Sequence, residues 1–348
     1  MLYYLLPKID TKLIVTPCDT EQECPLYISH SLYKYSNAVQ TKLKKQNIHY
    51  NNLDDDDNLD NHNPFSNIQS RSELFYELVE FLIVSNNNHE FFITRPLKIL
   101  YITTHYADSY NSVEFFKQKY NYTHKNNYTH FNNVSEYFKS KNTDKFEFMF
   151  FEIPVYDFVD LNAYIIYFLQ IFMTILKTQR DHGCCLIKLN YIYHKPIIDI
   201  LFLLSSLYSK IYLIKPTLID TTDYKYVFCK YFNNSPEQNN INNQNYTQLD
   251  VFLNKPDLKN ITHIIHYNTP AYFIYKINEI NLIIGQQQLE LCRQLLHIYE
   301  GQNKLFKLEQ HNQKNVQKCI DWCVKMNIPY YDINTNFETD AHNYLSIS

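Results

Sequence analysis

GCCLIKLNYIYHKPIIDILFLLSSLYSKIYLIKPTLIDTTDYKYVFCKYF, residues 183–232, is the stretch whose reading decides the fold. CCLIKL is a short apolar run of strand character, and KIYLIKP (210–216) and KYVFCKYF (225–232) are two more. Between the first two, Lys195 to Ser209 reads as a helix, with Pro196 in the first turn, where a missing N–H is tolerated. Strand, helix and strand at this spacing predict an α/β layered domain with a mostly parallel sheet. The last two strands, joined by residues 217–224, predict an antiparallel hairpin at the sheet's edge.

The same alternation extends upstream. KILYIT at 98–103 is a short apolar strand, 111–119 reads as a helix, FEFMFFEI at 146–153 as a buried strand, and Asp160–Thr178 as a long apolar helix. From Ser70, SRSELFYELVEFLIV sets Leu74, Leu78, Phe81 and Leu82 on one helix face, until Asn87–His89 breaks it. A helix is expected around 29–45 and a polar surface loop over 48–69, where Asp54–Asp57 sit in an Asn-rich run. Downstream, 233–247 reads as a polar linker and 286–326 as two or three helices. The resulting expectation is an N-terminal extension (1–69), an α/β domain (70–235) and a mainly helical C-terminal extension (236–348).

Composition narrows the chemistry. Only Gly183, Gly285 and Gly301 are glycine in 348 residues, against roughly 7% in ordinary chains. Phosphate and dinucleotide loops need glycine where φ is positive or where backbone approaches ligand. Walker A loops, dinucleotide fingerprints and kinase glycine loops are therefore excluded. Asn, Ile, Tyr, Lys and Phe enrichment also fits a genome rich in A and T, which by itself would deplete glycine. The net charge of −4 gives no global case for nucleic acid, although a local basic surface with tyrosines near 117–130 and 210–231 stays open. The eight cysteines, including adjacent Cys184 and Cys185, read as buried thiols rather than a disulfide framework. Asn-x-Ser/Thr matches at Asn121, Asn127, Asn133, Asn245 and Asn260 are what an Asn-rich chain produces by chance. MLYYLLPKID is a poor signal peptide, and Leu161–Leu176 is short for a membrane span, so a soluble intracellular protein without a membrane partner is expected.

Two residues stand out chemically. Lys188, in an apolar strand, is either an active-site ammonium that loses its proton easily once desolvated or a lysine that snorkels out at the strand end. Glu152 ends another strand, where parallel sheets place ligand contacts; it either faces Lys188 or is a charge at a loop start. Lys215 resembles Lys188 but stands at a strand end before Pro216. Cys319 and Cys323 flank Trp322 without a nearby His or Cys pair, which suits core packing better than metal; His194 and His311 are lone histidines.

Gly183-x-x-Leu-Ile-Lys188, the apolar helix ending in LSSLYSKIYLIKP and the Tyr-Val-x-Cys-Lys string at 226–230 resemble the RrmJ/FtsJ-like 2′-O-ribose methyltransferases, especially the mRNA cap-specific branch of eukaryotes and large DNA viruses. The resemblance implies a Rossmann-like methyltransferase fold, S-adenosylmethionine at a Gly-rich loop and a Lys-Asp-Lys-Glu tetrad. Carried onto this chain, the second lysine is Lys188, the aspartate is Glu152, and the final glutamate falls on Tyr224 beside Asp223. The first lysine falls at Phe75 or Tyr76, which cannot serve. In KILYITTHYADSYNSVEFF (98–116), Thr103, Ala107 and Asp108 stand near the expected glycines, with Tyr106 and Tyr110 adding bulk; left-handed backbone there would cost roughly 1 kcal/mol per residue.

The expectation is thus a catalytically inactive methyltransferase-like protein with no cofactor, a structural or regulatory subunit of a viral transcription, capping or virion assembly, cytoplasmic or in the particle. The QKNVQKCIDWC tail (313–323) looks like the extension of a large-DNA-virus relative. The alternatives are an active S-adenosylmethionine-dependent cap methyltransferase with a divergent pocket, and a non-catalytic RNA-binding scaffold.

Overall fold

The computed structural model describes residues 1–27, 33–35, 38–39, 41–42, 72–86, 95–140, 142–153, 161–190, 192–217, 224–266, 268–301 and 303–329. The expected loop at 48–69 and the break at 87–89 lie outside the described residues, as does Asp223. Of the expected helix at 29–45, residues 33–35, 38, 39, 41 and 42 are described, and they are helical.

The main sheet is built from β1 (Leu2–Leu5), β3 (Lys98–Ile102), β4 (Asn127–Phe131), β5 (Phe146–Glu152), β6 (Gln179–Leu189), β7 (Tyr208–Lys215) and β8 (Lys225–Phe232). Its order is β1-β7-β8-β6-β5-β3-β4. β4, β3, β5 and β6 pair in parallel, whereas β8 is antiparallel to both β6 and β7. The β7–β8 hairpin therefore exists, but not at the edge as expected. β8 folds back into the gap between β6 and β7, and the edge beyond β7 is taken by β1. Burial explains the placement: KYVFCKYF is apolar on both faces, and all its residues but Tyr231 are buried. A mostly parallel sheet in which the hairpin strand β8 and the edge strand β1 run against the other five strands is a Rossmann-like methyltransferase fold.

Helices cover both faces. Side chains alternate along each strand, so Leu100, Met149, Cys185, Leu213 and Val227 meet α4 (Leu161–Thr178) and α5 (Lys195–Leu207). Tyr101, Phe150, Leu186, Tyr226 and Phe228 meet α1 (Glu73–Asn86) and α2 (Tyr106–Lys119) on the other. By length and composition α4 is apolar enough to cross a membrane, but its apolar residues pack against the sheet. Asn162, which interrupts its apolar run, ties it to the small β2–β9 sheet (Cys18–Thr20 and Asn260–His263): its side chain accepts from Ile261 N–H at 3.0 Å and donates to Lys259 C=O at 3.1 Å.

The segment expected as a polar linker is a helix, α6 (Pro236–Leu253). Ser235 caps it by accepting from Gln238 N–H, and Pro236 sits in the first turn. Gln238, Asn242 and Asn245 fall at helical spacing and are buried. Asn245 clamps the N-terminal segment, accepting from Val15 N–H and donating to Leu13 C=O, both at 3.0 Å. Polar composition hid an amide-lined buried face. The C-terminal helices are α7 (Ala271–Glu300) and α8 (Lys304–Met326); Phe273 and Ile277 pack on the α5 side, whereas Trp322 and Met326 pack with α1 on the opposite face. A short α3 (Val134–Lys139) follows β4. All eight cysteines are free, and Cys323 is buried.

Gly183 has a specific structural reason. It lies in an irregular stretch of β6, where Phe146 pairs with Gln179 but Phe148 pairs with Cys184. A Cβ there would stand 2.8 Å from Arg180 O and 2.9 Å from Glu147 O, both backbone atoms. Gly183→Ala is expected to lower stability by about 1–3 kcal/mol, read as a lower urea midpoint with unchanged m-value; an unchanged midpoint contradicts this packing.

Candidate functional site at the carboxyl edge of the sheet

From β3 the chain runs through α2 outward to β4, then returns to β5 on the other side of β3. The switch point of this α/β sheet therefore lies between the carboxyl ends of β3 and β5, the position where such sheets bind ligands. Thr103 follows β3 and Glu152 ends β5, so the two residues singled out there face one another across it. Thr103 Oγ1 donates to Glu152 Oε2 at 2.5 Å and accepts from His105 N–H at 3.0 Å. His105 Nδ1 lies 2.9 Å from the same carboxylate oxygen. His130, at the end of β4, places Nε2 2.8 Å from Thr103 O and stacks on Tyr106 with ring centroids 4.4 Å apart.

The other oxygen of Glu152 turns toward Lys188. Period-two alternation puts Lys188 on the same face as Cys184 and Leu186, beneath α1. There the ammonium lies 2.9 Å from Glu77 Oε2 and 3.8 Å from Glu152 Oε1. The Lys188 and Glu77 side chains are 7% and 1% exposed. Tyr226, opposite Lys188 on β8, donates its hydroxyl to Glu77 Oε2. The Tyr224 ring centroid stands 4.4 Å from the ammonium, a cation–π contact.

Charge follows from this geometry. Burial pushes the Lys188 pKa down, but Glu77 and Glu152 outweigh it, so the group stays protonated above the ordinary lysine value. Burial and the Glu77 carboxylate push the Tyr226 hydroxyl well above 10. The Tyr224 hydroxyl is raised by burial and by Glu152 and Glu77, against the opposing pull of Lys188. Lys188 is buried rather than snorkelled out to solvent, but its two carboxylates hold the proton that the active-site reading expects it to lose easily; Glu152 lies 3.8 Å from it.

Ala107 is exposed and Asp108 half-buried in the first turn of α2. No residue from 103 to 108 has positive φ. The strain expected of a glycine-free loop is therefore absent, because α2 starts at Tyr106 and the chain turns within Thr103–His105. Asp108 brings a carboxylate to the helix N-terminus, where the helix dipole already favours it. Phe75 and Tyr76 are buried, with Tyr76 against Trp322.

Glu77, His105, His130 and Tyr226 belong to this cluster and were not singled out in the sequence. Glu77 carried a usable signal. It lies one turn before Glu80 on the same helix face as Leu74, Leu78 and Phe81, and both glutamates are buried. Acidic residues inside an apolar stripe call for partners. Among the described residues there is no group of three or more His, Cys, Asp or Glu placed to hold a metal ion.

No family model matches the chain, and no curated protein matches it in sequence. Solved structures that the chain matches include human methyltransferase-like protein 13 in complex with SAH, at 10% identity, covering 54% of this chain and 95% of that one, with a TM-score of 0.28. Another is the Haemonchus contortus phosphoethanolamine N-methyltransferase 2 in complex with phosphomonomethylethanolamine and S-adenosylhomocysteine, at 10% identity and a TM-score of 0.29, covering 45% of this chain. The chain spans 38% of that nematode enzyme's length. The fold assignment rests on strand order and direction.

Lys188→Met leaves two carboxylates facing each other without a cation and is expected to cost about 3–5 kcal/mol. The double variant E77Q/K188M should cost less than the sum of its single changes. The folded Lys188 pKa lies above its unfolded value of 10.5. The stabilisation it supplies is complete below pH 10.5 and is lost as pH rises through the folded value. In denaturant titrations the gap between wild type and K188M should be constant at neutral pH and shrink only under strongly alkaline conditions; a gap that closes below pH 9 contradicts the pairing.

Proposed function

We propose that this chain is a methyltransferase-fold protein without methyl-transfer activity, which serves as a structural or regulatory subunit of a larger assembly. The observation that carries this reading is the Thr103–Glu152–His105 hydrogen-bond bridge across the sheet's switch point. An S-adenosylmethionine cradle of the family's kind needs open backbone between β3 and α2. Here that turn carries Thr103 and His105, both committed to Glu152, with Tyr106 stacked on His130 beside them. The residues present do not fit the cofactor.

Lys188 supports the same reading. A base that takes a proton from a ribose hydroxyl must be neutral when it acts, and Glu77 and Glu152 hold this lysine as an ammonium. Tyr224, in place of a carboxylate, covers the ammonium with its ring. The assembly we favour is the viral transcription, mRNA-capping or particle machinery that the family resemblance suggests.

One observation favours the alternative of an active cap 2′-O-methyltransferase: a lysine flanked by two carboxylates does stand at the carboxyl edge of the sheet. Calorimetry with S-adenosylmethionine and transfer of labelled methyl groups to capped RNA separate the two. The expected result is no saturable heat at micromolar cofactor and no transfer. One-to-one micromolar binding, with transfer abolished in Lys188→Ala, would overturn the proposal.

A further inference from the structure

On the α1 face of the sheet, β8 carries two lysine environments of opposite character. Tyr226 lies opposite Lys188 at the carboxyl edge, within the paired cluster. Four residues along, about 13 Å away at a strand rise of ~3.3 Å, Lys230 lies at the amino edge. Lys230 is 6% exposed, yet among the described residues neither a carboxylate nor any hydrogen-bond acceptor is paired with its ammonium. Aromatic rings flank it instead: Phe228 at 4.8 Å and Tyr212 at 5.8 Å from ring centroid to Nζ.

The ladder makes the situation more costly. Lys210 on β7 is directly opposite Lys230, so both side chains leave the same face of the sheet. Like charges opposed across two strands are destabilising, and Lys210 likewise lacks an ion pair among the described residues. Among the described residues, the other titratable groups beside Lys230 are Cys184 on β6, Tyr212 on β7 and Tyr231 on β8. Cys184 supplies no negative charge at neutral pH, since burial pushes its thiol up to about 12. Burial and Lys210 together lower the Lys230 pKa to about 8, Cys184 opposing them.

We propose that Lys210 and Lys230 form an oxyanion-binding site at the amino edge of the sheet, whose ligand is a phosphate-bearing molecule. Two ammoniums, one of them recessed, match a dianion better than a single carboxylate. The flanking rings of Tyr212 and Phe228 lower the local dielectric around the pair and so strengthen the attraction. Tyr231, at φ 62°, turns the chain just beyond Lys230, and Ser209 Oγ donates to its carbonyl at 3.3 Å. This site is separate from the carboxyl-edge cluster and does not depend on whether methyl transfer occurs there.

The test uses the full chain and two probes, inorganic phosphate and sulfate, with thermal unfolding and calorimetry as readouts. General salting-out by both anions affects every variant alike, so the difference between variants is what counts. Wild type should bind phosphate saturably, and K230M and K210M should lose that binding by tenfold or more, while K188M, if it folds, retains it. Sulfate stays dianionic across the range, so its binding should weaken roughly tenfold from pH 7 to pH 9 as Lys230 loses its proton. In anion-free buffer K230M should melt no lower than wild type, because it relieves the repulsion from Lys210 and breaks no ion pair seen among the described residues. Equal phosphate responses in wild type and K230M would overturn the proposal. So would a K230M that melts markedly lower without any anion, since that would reveal an internal partner for the ammonium.

Discussion

An ammonium taken almost wholly out of water needs negative charge within a few ångströms, and the Lys188 side chain obtains it from two different elements. Glu77 comes from α1 and Glu152 from the end of β5, while Lys188 itself belongs to β6. One buried charge cluster thus fixes a helix, two strands and, through Tyr226, the inserted strand β8. Removing any one charge strands the others in a low-dielectric interior, where an unpaired ion costs several kcal/mol. The second oxygen of Glu152 carries the constraint on to Thr103 and His105, so the turn after β3 is held by the same carboxylate. The turn at this edge is held by hydrogen bonds to a carboxylate rather than by strained backbone, for none of its residues has positive φ.

The two edges of the sheet solve opposite electrostatic problems on one face. At the carboxyl edge two carboxylates flank one lysine, and each of the three is paired. At the amino edge two lysines oppose one another, with aromatic rings in place of carboxylates. The pKa directions mirror the contrast: Lys188 is raised by its carboxylates, whereas Lys230 is lowered by burial and by Lys210. The methyltransferase architecture supplies the frame for both. What differs is which side chains the inserted β8 presents as it runs from one edge to the other.

Much of the frame was legible because it depends on local pattern. Apolar runs of strand length separated by helical periodicity gave β3, β5, β6, β7 and β8 and the helices between them. Gly183 was legible too, and the structure adds its cause in the close approach of Arg180 O and Glu147 O. Pattern failed where burial was polar. Residues 236–253 are rich in asparagine and read as linker, yet Gln238, Asn242 and Asn245 are buried, and Asn245 satisfies the backbone of the N-terminal segment. The same blindness hid Glu77, an acidic residue inside an apolar stripe whose partner lies 111 positions away.

By itself the sequence determined the layered α/β class, the carboxyl-edge placement of Lys188 and Glu152, and the absence of a glycine loop after β3. Each of these depends on residue type and short-range spacing. Only the tertiary structure decided that β8 lies inside the sheet, that Glu77 completes the charge cluster, and that Lys210 faces Lys230. Strand order and cross-strand register join residues distant in the chain, and that juxtaposition sets whether a buried charged side chain meets an opposite charge or a like one.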